Sequence, residues 1–164
     1  MPEYTIRTHR PGDLGWLISQ HGTLYTTEYK WNERVESLVA RSCADFIDSY
    51  NPAVERCWIA EHNNSRIGCI MLAKDHGAED AGKLRFLLVD SSARGLGVAS
   101  ALIRTCVDFA REVGYKRVVL WTHSVLVPAR RLYEANGFKL VKEEEHDTFG
   151  VRLVGEFWEL AFDH

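Results

Sequence analysis

A mixed α/β domain, with one central sheet and helices packed on both of its faces, is the fold class this sequence predicts. Three observations carry it. Apolar residues recur at helical spacing in some stretches and at the alternating or unbroken spacing of strands in others. Val118, Val119 and Leu120 follow one another without interruption, as a strand covered on both faces requires. An apolar strand ending near Val89 runs through two glycines straight into an amphipathic helix.

The elements follow in order. Tyr4 to His9 alternates like a short first strand, and Pro11-Gly12 closes it. Asp13 suits the cap of a helix carrying Leu14, Leu17 and Ile18. A polar and aromatic connection from Thr23 to Trp31 comes next. Val35, Leu38, Val39, Ala40, Phe46 and Ile47 set a second helix from Glu33 to about Tyr50. Asn51-Pro52 ends it, because the residue before a proline is pushed out of the helical region. Arg56 to His62 and Arg66 to Ala73 read as two strands joined by the hairpin chemistry of Asn63-Asn64-Ser65. A charged loop from Lys74 to Gly82 leads into a third strand, Leu84 to Val89. Val98, Leu102, Ile103, Cys106, Phe109, Ala110 and Val113 line the buried face of the next helix, which Gly114 stops. Arg117 to Trp121 is a buried strand; Pro128 opens a last helix and Asn136-Gly137 ends it. A strand from Phe138, a solvated turn of charge through Glu143-Glu144-Glu145 to Asp147, and a strand from Gly155 to Phe162 complete a single domain, 1–164.

Composition narrows the function classes. The 164 residues are 46% apolar and 26% charged, enough for one sizeable core and too ordered for a disordered chain. Twenty Lys and Arg against 23 Asp and Glu leave a net charge of −3, without the basic face that a nucleic-acid binder needs. Cys43, Cys57, Cys69 and Cys106 are scattered with no metal-ligand spacing, so they read as free thiols, with no metal. The N-terminus has no secretory pattern, and no apolar run approaches the roughly 20 residues that span a bilayer. The expected location is cytoplasmic, with no membrane partner.

The chemistry concentrates between Val89 and Ser100. Arg94-Gly95-Leu96-Gly97-Val98-Ala99 joins a strand to a helix, and its glycines let both a tight turn and a ligand approach the backbone. The first amides of a helix lack internal partners and sit at the positive end of its dipole, which makes the junction an anion cradle. No Gly-Lys-Ser/Thr ending makes it a Walker loop. Ser100 stands where a dinucleotide fingerprint wants a third glycine, and the next strand ends in Trp121-Thr122-His123 without a carboxylate for a ribose. The remaining pattern, Arg/Gln-x-x-Gly-x-Gly/Ala, is met by Arg94, Gly97 and Ala99.

On that loop, together with Pro128-Ala-Arg-Arg-Leu-Tyr-Glu-Ala-Asn-Gly-Phe138, the chain resembles the GNAT acetyltransferases over nearly its whole length. The tail, His146-x-x-Phe149-Gly150-x-x-Leu153-Val154-Gly155-x-x-Trp158-Glu159-Leu160, resembles the acetyltransferase half of proteins fused to a MarR-type regulator. Here the chain begins at the acetyltransferase, so the DNA-binding half is expected to be absent. The likeness implies a mostly antiparallel, twisted sheet of six to seven strands with about four helices. It implies transfer of an acetyl group from acetyl-coenzyme A to an amine by direct attack in a ternary complex. The alternative is a non-catalytic coenzyme A-binding sensor or interaction module.

The resemblance also distributes roles. Leu87, Leu88 and Val89 would meet the pantetheine arm, and a backbone amide near Val89 would polarise the thioester. Arg94, Gly95, Leu96, Gly97, Val98, Ala99 and Ser100 would hold the pyrophosphate. Tyr133 matches the general acid that protonates the departing thiolate. His123 and Glu61, each at a strand end, are candidate proton carriers. Tyr25, Tyr29 and Trp31 would wall the pocket of a small-molecule or peptide amine. Leu126 replaces an asparagine that touches the cofactor in relatives, and Lys83 stands near the position of a glutamate base. A homodimer is the one protein partner left open.

Overall fold

The computed structural model describes residues 3–163; Met1, Pro2 and His164, the ends of the predicted 1–164 domain, lie outside the described residues. Its elements are β1 (Thr5–Thr8), α1 (Asp13–Glu28), α2 (Arg34–Asp48), β2 (Arg56–His62), β3 (Ser65–Lys74), β4 (Ala81–Val89), α3 (Val98–Glu112), β5 (Arg117–His123), α4 (Val127–Ala135), β6 (Lys139–His146) and β7 (Leu153–Ala161). The seven strands form one sheet in the order β1-β2-β3-β4-β5-β7-β6. Every neighbouring pair is antiparallel except β4 and β5. The fold is therefore the mixed α/β class expected, with four helices and a mostly antiparallel sheet.

Each face buries its own helices. Leu14 and Leu17 of α1 and Val39, Cys43 and Phe46 of α2 pack on Cys57, Ile59, Cys69 and Met71 of the sheet. On the opposite face, Val98, Leu102, Ile103 and Cys106 of α3 join Trp58, Ile70, Leu72, Val118 and Leu120, with Tyr133 of α4 in the same cluster. Among the described residues no helix is long and apolar enough to cross a membrane. All four cysteines are buried and free, and burial pushes each thiol up, away from the nucleophilic thiolate form.

Three local expectations change. The Thr23–Trp31 connection is shorter than predicted, because α1 runs on to Glu28 and carries Tyr25 on its last turns. Tyr25 stacks on Trp31 at 4.7 Å, and this aromatic contact holds a threonine-rich stretch helical that weak propensity would leave as coil. Asp13 does not cap α1. Gly12 holds the cap position, and the Asp13 carboxylate instead accepts from the Arg10 amide, Arg7 and Arg66. Glu143-Glu144-Glu145 is no turn either, since all three lie in β6 opposite Glu156, Gly155 and Val154 of β7. β6 is an edge strand with exposed residues along most of its length, so alternation is lost and charge guards the free edge. The turn follows it, and Gly150 donates its amide to the Asp147 carbonyl.

Candidate active site

The parallel pair β4/β5 opens into a cleft. Its ladder runs only from Ala81 opposite Arg117 to Leu84 opposite Leu120. Beyond it β4 bulges against β3, where the register slips between Cys69 and Met71 and Phe86 takes a left-handed φ of 58°. For a bulky residue that conformation is strained, and the strain sits where the two strands part. The backbone from Phe86 to Val89 thus faces the gap with no β5 partner.

A cleft of about 300 Å³ fills this gap, lined by Leu87, Leu88 and Val89 on one side and Leu126, Pro128, Ala129 and Leu132 on the other. Arg94 and Ala99 stand at its mouth. The Arg94–Ser100 loop is shaped by Gly95 at φ 87° and Gly97 at φ 77°, left-handed positions that favour glycine. A Cβ on either glycine would meet nothing within 4 Å, so the backbone here is open to a ligand. Gly97 occupies the cap position of α3 without a side-chain hydrogen bond. Among the described residues no protein acceptor meets the amides of Val98, Ala99 and Ser100. The Val98 side chain is buried in the core, so this residue offers only its backbone. The cradle's positive end thus faces a cleft wide enough for an extended arm.

A smaller pocket of about 100 Å³ continues inward, sharing Tyr25, Leu87, Leu126 and Ala129 with the outer cleft. Trp31, His123 and Tyr133 line it, so the structure brings five of the predicted residues, Tyr25 and Leu87 included, to one place; Tyr29 lines the outer cleft. Trp31 stacks between Tyr25 and Phe149, at 4.7 and 5.1 Å. Burial raises the phenols of both Tyr25 and Tyr133 and keeps them protonated.

His123 is 4% exposed, and its ring lies edge-on to Trp31 and Trp121. Burial, and then the facing His146 ring, push it down to about 4, so it is neutral near pH 7. Its tautomer follows from its partners. The Thr148 amide donates to His146 Nδ1 at 3.2 Å, so that nitrogen accepts and the ring's N–H is at Nε2. His146 Nε2 lies 2.8 Å from His123 Nε2 and donates to it. His123 therefore carries its own proton on Nδ1 and acts as a donor there, not as a base.

Two candidates fall elsewhere. Glu61 is held by Arg7 at 2.8 Å and lines a polar cavity with Asp13 and Arg66, apart from the cleft; the Arg7 bond lowers its carboxyl. Lys83 faces a cavity under α2 with Asp45 and Asp75, and burial lowers its ammonium without bringing it to the site. Other residues gave no sequence signal of their own. His21 and Phe149 line the inner pocket, His146 packs edge-on to Phe149 at 5.6 Å, and Glu28 reaches Arg94 at 3.1 Å. Only the tail pattern pointed to His146 and Phe149.

A strand gap leads from an uncapped glycine cradle to a buried tyrosine, and the profile of the Acetyltransferase (GNAT) family matches residues 18–138. The chain belongs to the GNAT acetyltransferase family. This GNAT domain is 35% identical over 135 residues to N-acetyltransferase 8F1 of Rattus norvegicus, covering 80% of this chain and 57% of that protein. It is 38% identical over 111 residues to N-acetylaspartate synthetase of Danio rerio, covering 65% and 39%. The aligned stretch thus spans about half the length of the curated relatives or less. Ribosomal-protein-alanine N-acetyltransferase from Brucella melitensis shares the fold, with a TM-score of 0.77 at 21% identity over 96% of this chain and 99% of that one. Salmonella typhimurium yncA, solved with its cofactor acetyl-CoA, matches at a TM-score of 0.75 and 22% identity over 98% and 95%.

Proposed function

We propose that this GNAT domain moves an acetyl group from acetyl-coenzyme A to an amine by direct attack within a ternary complex. The observation that carries the reading is the gap between β4 and β5, which joins the uncapped amides of Val98, Ala99 and Ser100 to the inner pocket holding Tyr133. The donor set fits the cofactor. Unpaired amides and Arg94 suit a diphosphate, and an apolar-walled slot with an exposed β4 backbone suits an amide-bearing arm.

In this reading acetyl-coenzyme A supplies the activated acyl group, and the chain's residues place and protonate. A backbone amide of the bulged Phe86–Val89 segment, which has no β5 partner, would polarise the thioester oxygen. The amine nitrogen bonds to the carbonyl carbon, the carbon–sulfur bond breaks, and Tyr133 gives its phenolic proton to sulfur. The proton shed by the amine nitrogen restores the phenol. Burial keeps Tyr133 protonated but makes it a weaker acid than a thiol, so its advantage is position, not driving force. His123, a donor at Nδ1, orients bound groups, while Glu61 and the cysteines take no part. Leu126, which lines the cleft, would pack the cofactor arm by apolar contact.

The same reading takes the site of action as cytoplasmic. It also takes the tail as kin to the acetyltransferase halves of MarR-type fusions, on the residue pattern from His146 to Leu160 alone. Acetyl-coenzyme A is offered with a panel of amines and free thiol is followed. Release above hydrolysis with at least one amine is expected. Tight binding of acetyl-coenzyme A by calorimetry with no release for any amine would leave the domain a sensor instead.

A further inference from the structure

The inner pocket carries no charged side chain among the residues that line it, and one of its walls holds a buried acceptor atom without a donor. That atom is Nε2 of His21. The residue is 2% exposed, and its Nδ1 lies 2.8 Å from the Leu17 carbonyl of the previous turn. A carbonyl can only accept, so the imidazole proton sits on Nδ1 and Nε2 presents a bare lone pair. Nδ1 is turned to its own helix, so Nε2 is the ring corner that faces away from α1. The His21 ring meets Phe86 edge-on, with centroids 5.4 Å apart, at the bulge where β4 leaves β5, and both residues line the pocket. A buried acceptor left unpaired costs free energy that a ligand's N–H would recover.

We infer that His21 Nε2 accepts a hydrogen bond from the acceptor amine, and that the pocket selects amines bearing an aromatic or apolar group and no carboxylate. This rests on the transfer reading above and names its substrate class. The selection has two parts. Tyr25, Trp31 and Phe149 form a continuous stack, with interplanar angles of 10° and 20°, that gives the pocket an aromatic wall suited to an apolar group. A carboxylate would find no Lys or Arg in the lining and would be buried without a counter-charge. No Asp or Glu lines the pocket either, so no carboxylate there holds the nitrogen as an ammonium. The nitrogen enters as the free amine, the nucleophilic form, with one N–H on His21 and its lone pair available for attack. Burial holds His21 neutral, so it orients the amine without removing its proton.

Phenethylamine and phenylalanine differ by one carboxylate and test the point directly, with aspartate as a third acceptor. The expected kcat/KM for phenethylamine is at least a hundredfold above both others. Equal or better use of phenylalanine or aspartate overturns the inference while transfer itself stands. Binding is read separately by following the ¹⁵N resonance of His21 Nε2 as phenethylamine is added to the coenzyme A-loaded domain. An upfield shift on addition is expected, together with at least tenfold weaker binding in His21→Leu and recovery in His21→Gln, which retains an acceptor. If no amine is acetylated yet this shift and this rescue appear, the pocket assignment survives and the transfer reading fails. An unmoved resonance, or His21→Leu binding as wild type, overturns the assignment whatever the turnover.

Discussion

Arg130 Nε lies 2.8 Å from Glu156 Oε1 and joins α4, the helix that carries Tyr133, to β7. Glu156 is 1% exposed and also accepts from the Trp158 indole at 3.1 Å, so its carboxylate depends on these two donors. Removing one partner of a buried pair leaves the other charge uncompensated, whereas replacing both by apolar groups is close to neutral. Arg130→Ala is expected to destabilise the fold by about 3 kcal/mol. The double change Arg130→Met with Glu156→Leu should recover most of that loss in urea unfolding. A double variant no more stable than Arg130→Ala would mean that the pair does not anchor α4.

Tyr133→Phe removes the phenolic proton and keeps the ring against Phe138 at 5.8 Å. A loss confined to proton delivery lowers kcat by on the order of 10²-fold or more and leaves acetyl-coenzyme A affinity within about twofold. Steady-state thiol release and calorimetry on the same variant separate the two. Unchanged kcat would remove Tyr133 from the chemistry.

Much of this frame is written locally in the chain. Asn63 and Asn64 both take positive φ, 50° and 63°, as the turn between β2 and β3 needs, and asparagine tolerates that region well. The strand at Val118 and the glycine junction at Gly97 are similarly legible, although Val119, between the buried Val118 and Leu120, is only half-buried. What hides is non-local. Nothing in the sequence announces that Phe86 adopts φ 58°, because the bulge arises from slippage against Cys69 and Met71. Lone histidines carry no pattern, so the pairing of His123 with His146, 23 residues on, emerges only when β5 and β6 flank β7. Glu61 misleads for the mirrored reason. Its strand-end position looks suited to chemistry, yet Arg7 on the neighbouring strand β1 claims it.

Gly97 should tolerate no side chain in the coenzyme A-binding form. At φ 77° an alanine is strained by roughly 1 kcal/mol, although its Cβ meets no neighbour. The same methyl would project from the backbone that the diphosphate approaches. Gly97→Ala is therefore expected to lower stability by about 1 kcal/mol and acetyl-coenzyme A affinity at least tenfold. Equal losses in both, with the affinity change no larger than the strain explains, would argue against a diphosphate at this loop.

Acid should weaken the fold through its two buried imidazoles. Burial lowers His21 to about 4, and burial with His146 lowers His123 to about 4, from an ordinary 6.5. The unfolded chain therefore takes up protons that the folded one refuses. The stabilising contribution is complete above about pH 6.5 and is lost as pH falls toward 4. Each group is worth roughly 3 kcal/mol across that window. Urea midpoints at pH 7.5, 6 and 5 should fall in step, and His123→Phe should fall less steeply than the parent. A parallel decline in both would show that His123 is not held neutral.

Glu28 and Arg94 face each other across the mouth of the cleft at 3.1 Å, linking the end of α1 to the loop that opens α3. Their side chains are 38% and 56% exposed, so the bridge itself is worth about 1 kcal/mol at most and is screened by salt. Its consequence is competitive: the guanidinium that suits a diphosphate is engaged by a carboxylate until the ligand arrives. A ligand that takes Arg94 must also displace Glu28 or sit beside its negative charge. Glu28→Gln frees the guanidinium and removes that repulsion, so it should tighten acetyl-coenzyme A binding about two- to fivefold at low salt. The gain should shrink toward none at 0.5 M salt, where the Debye length falls to about 4 Å. Arg94→Gln should weaken binding on the same scale, and adding Glu28→Gln to it should restore little. Calorimetric titrations of the three variants at two salt concentrations check this, and weaker binding by Glu28→Gln would show that the carboxylate supports Arg94 instead of competing for it.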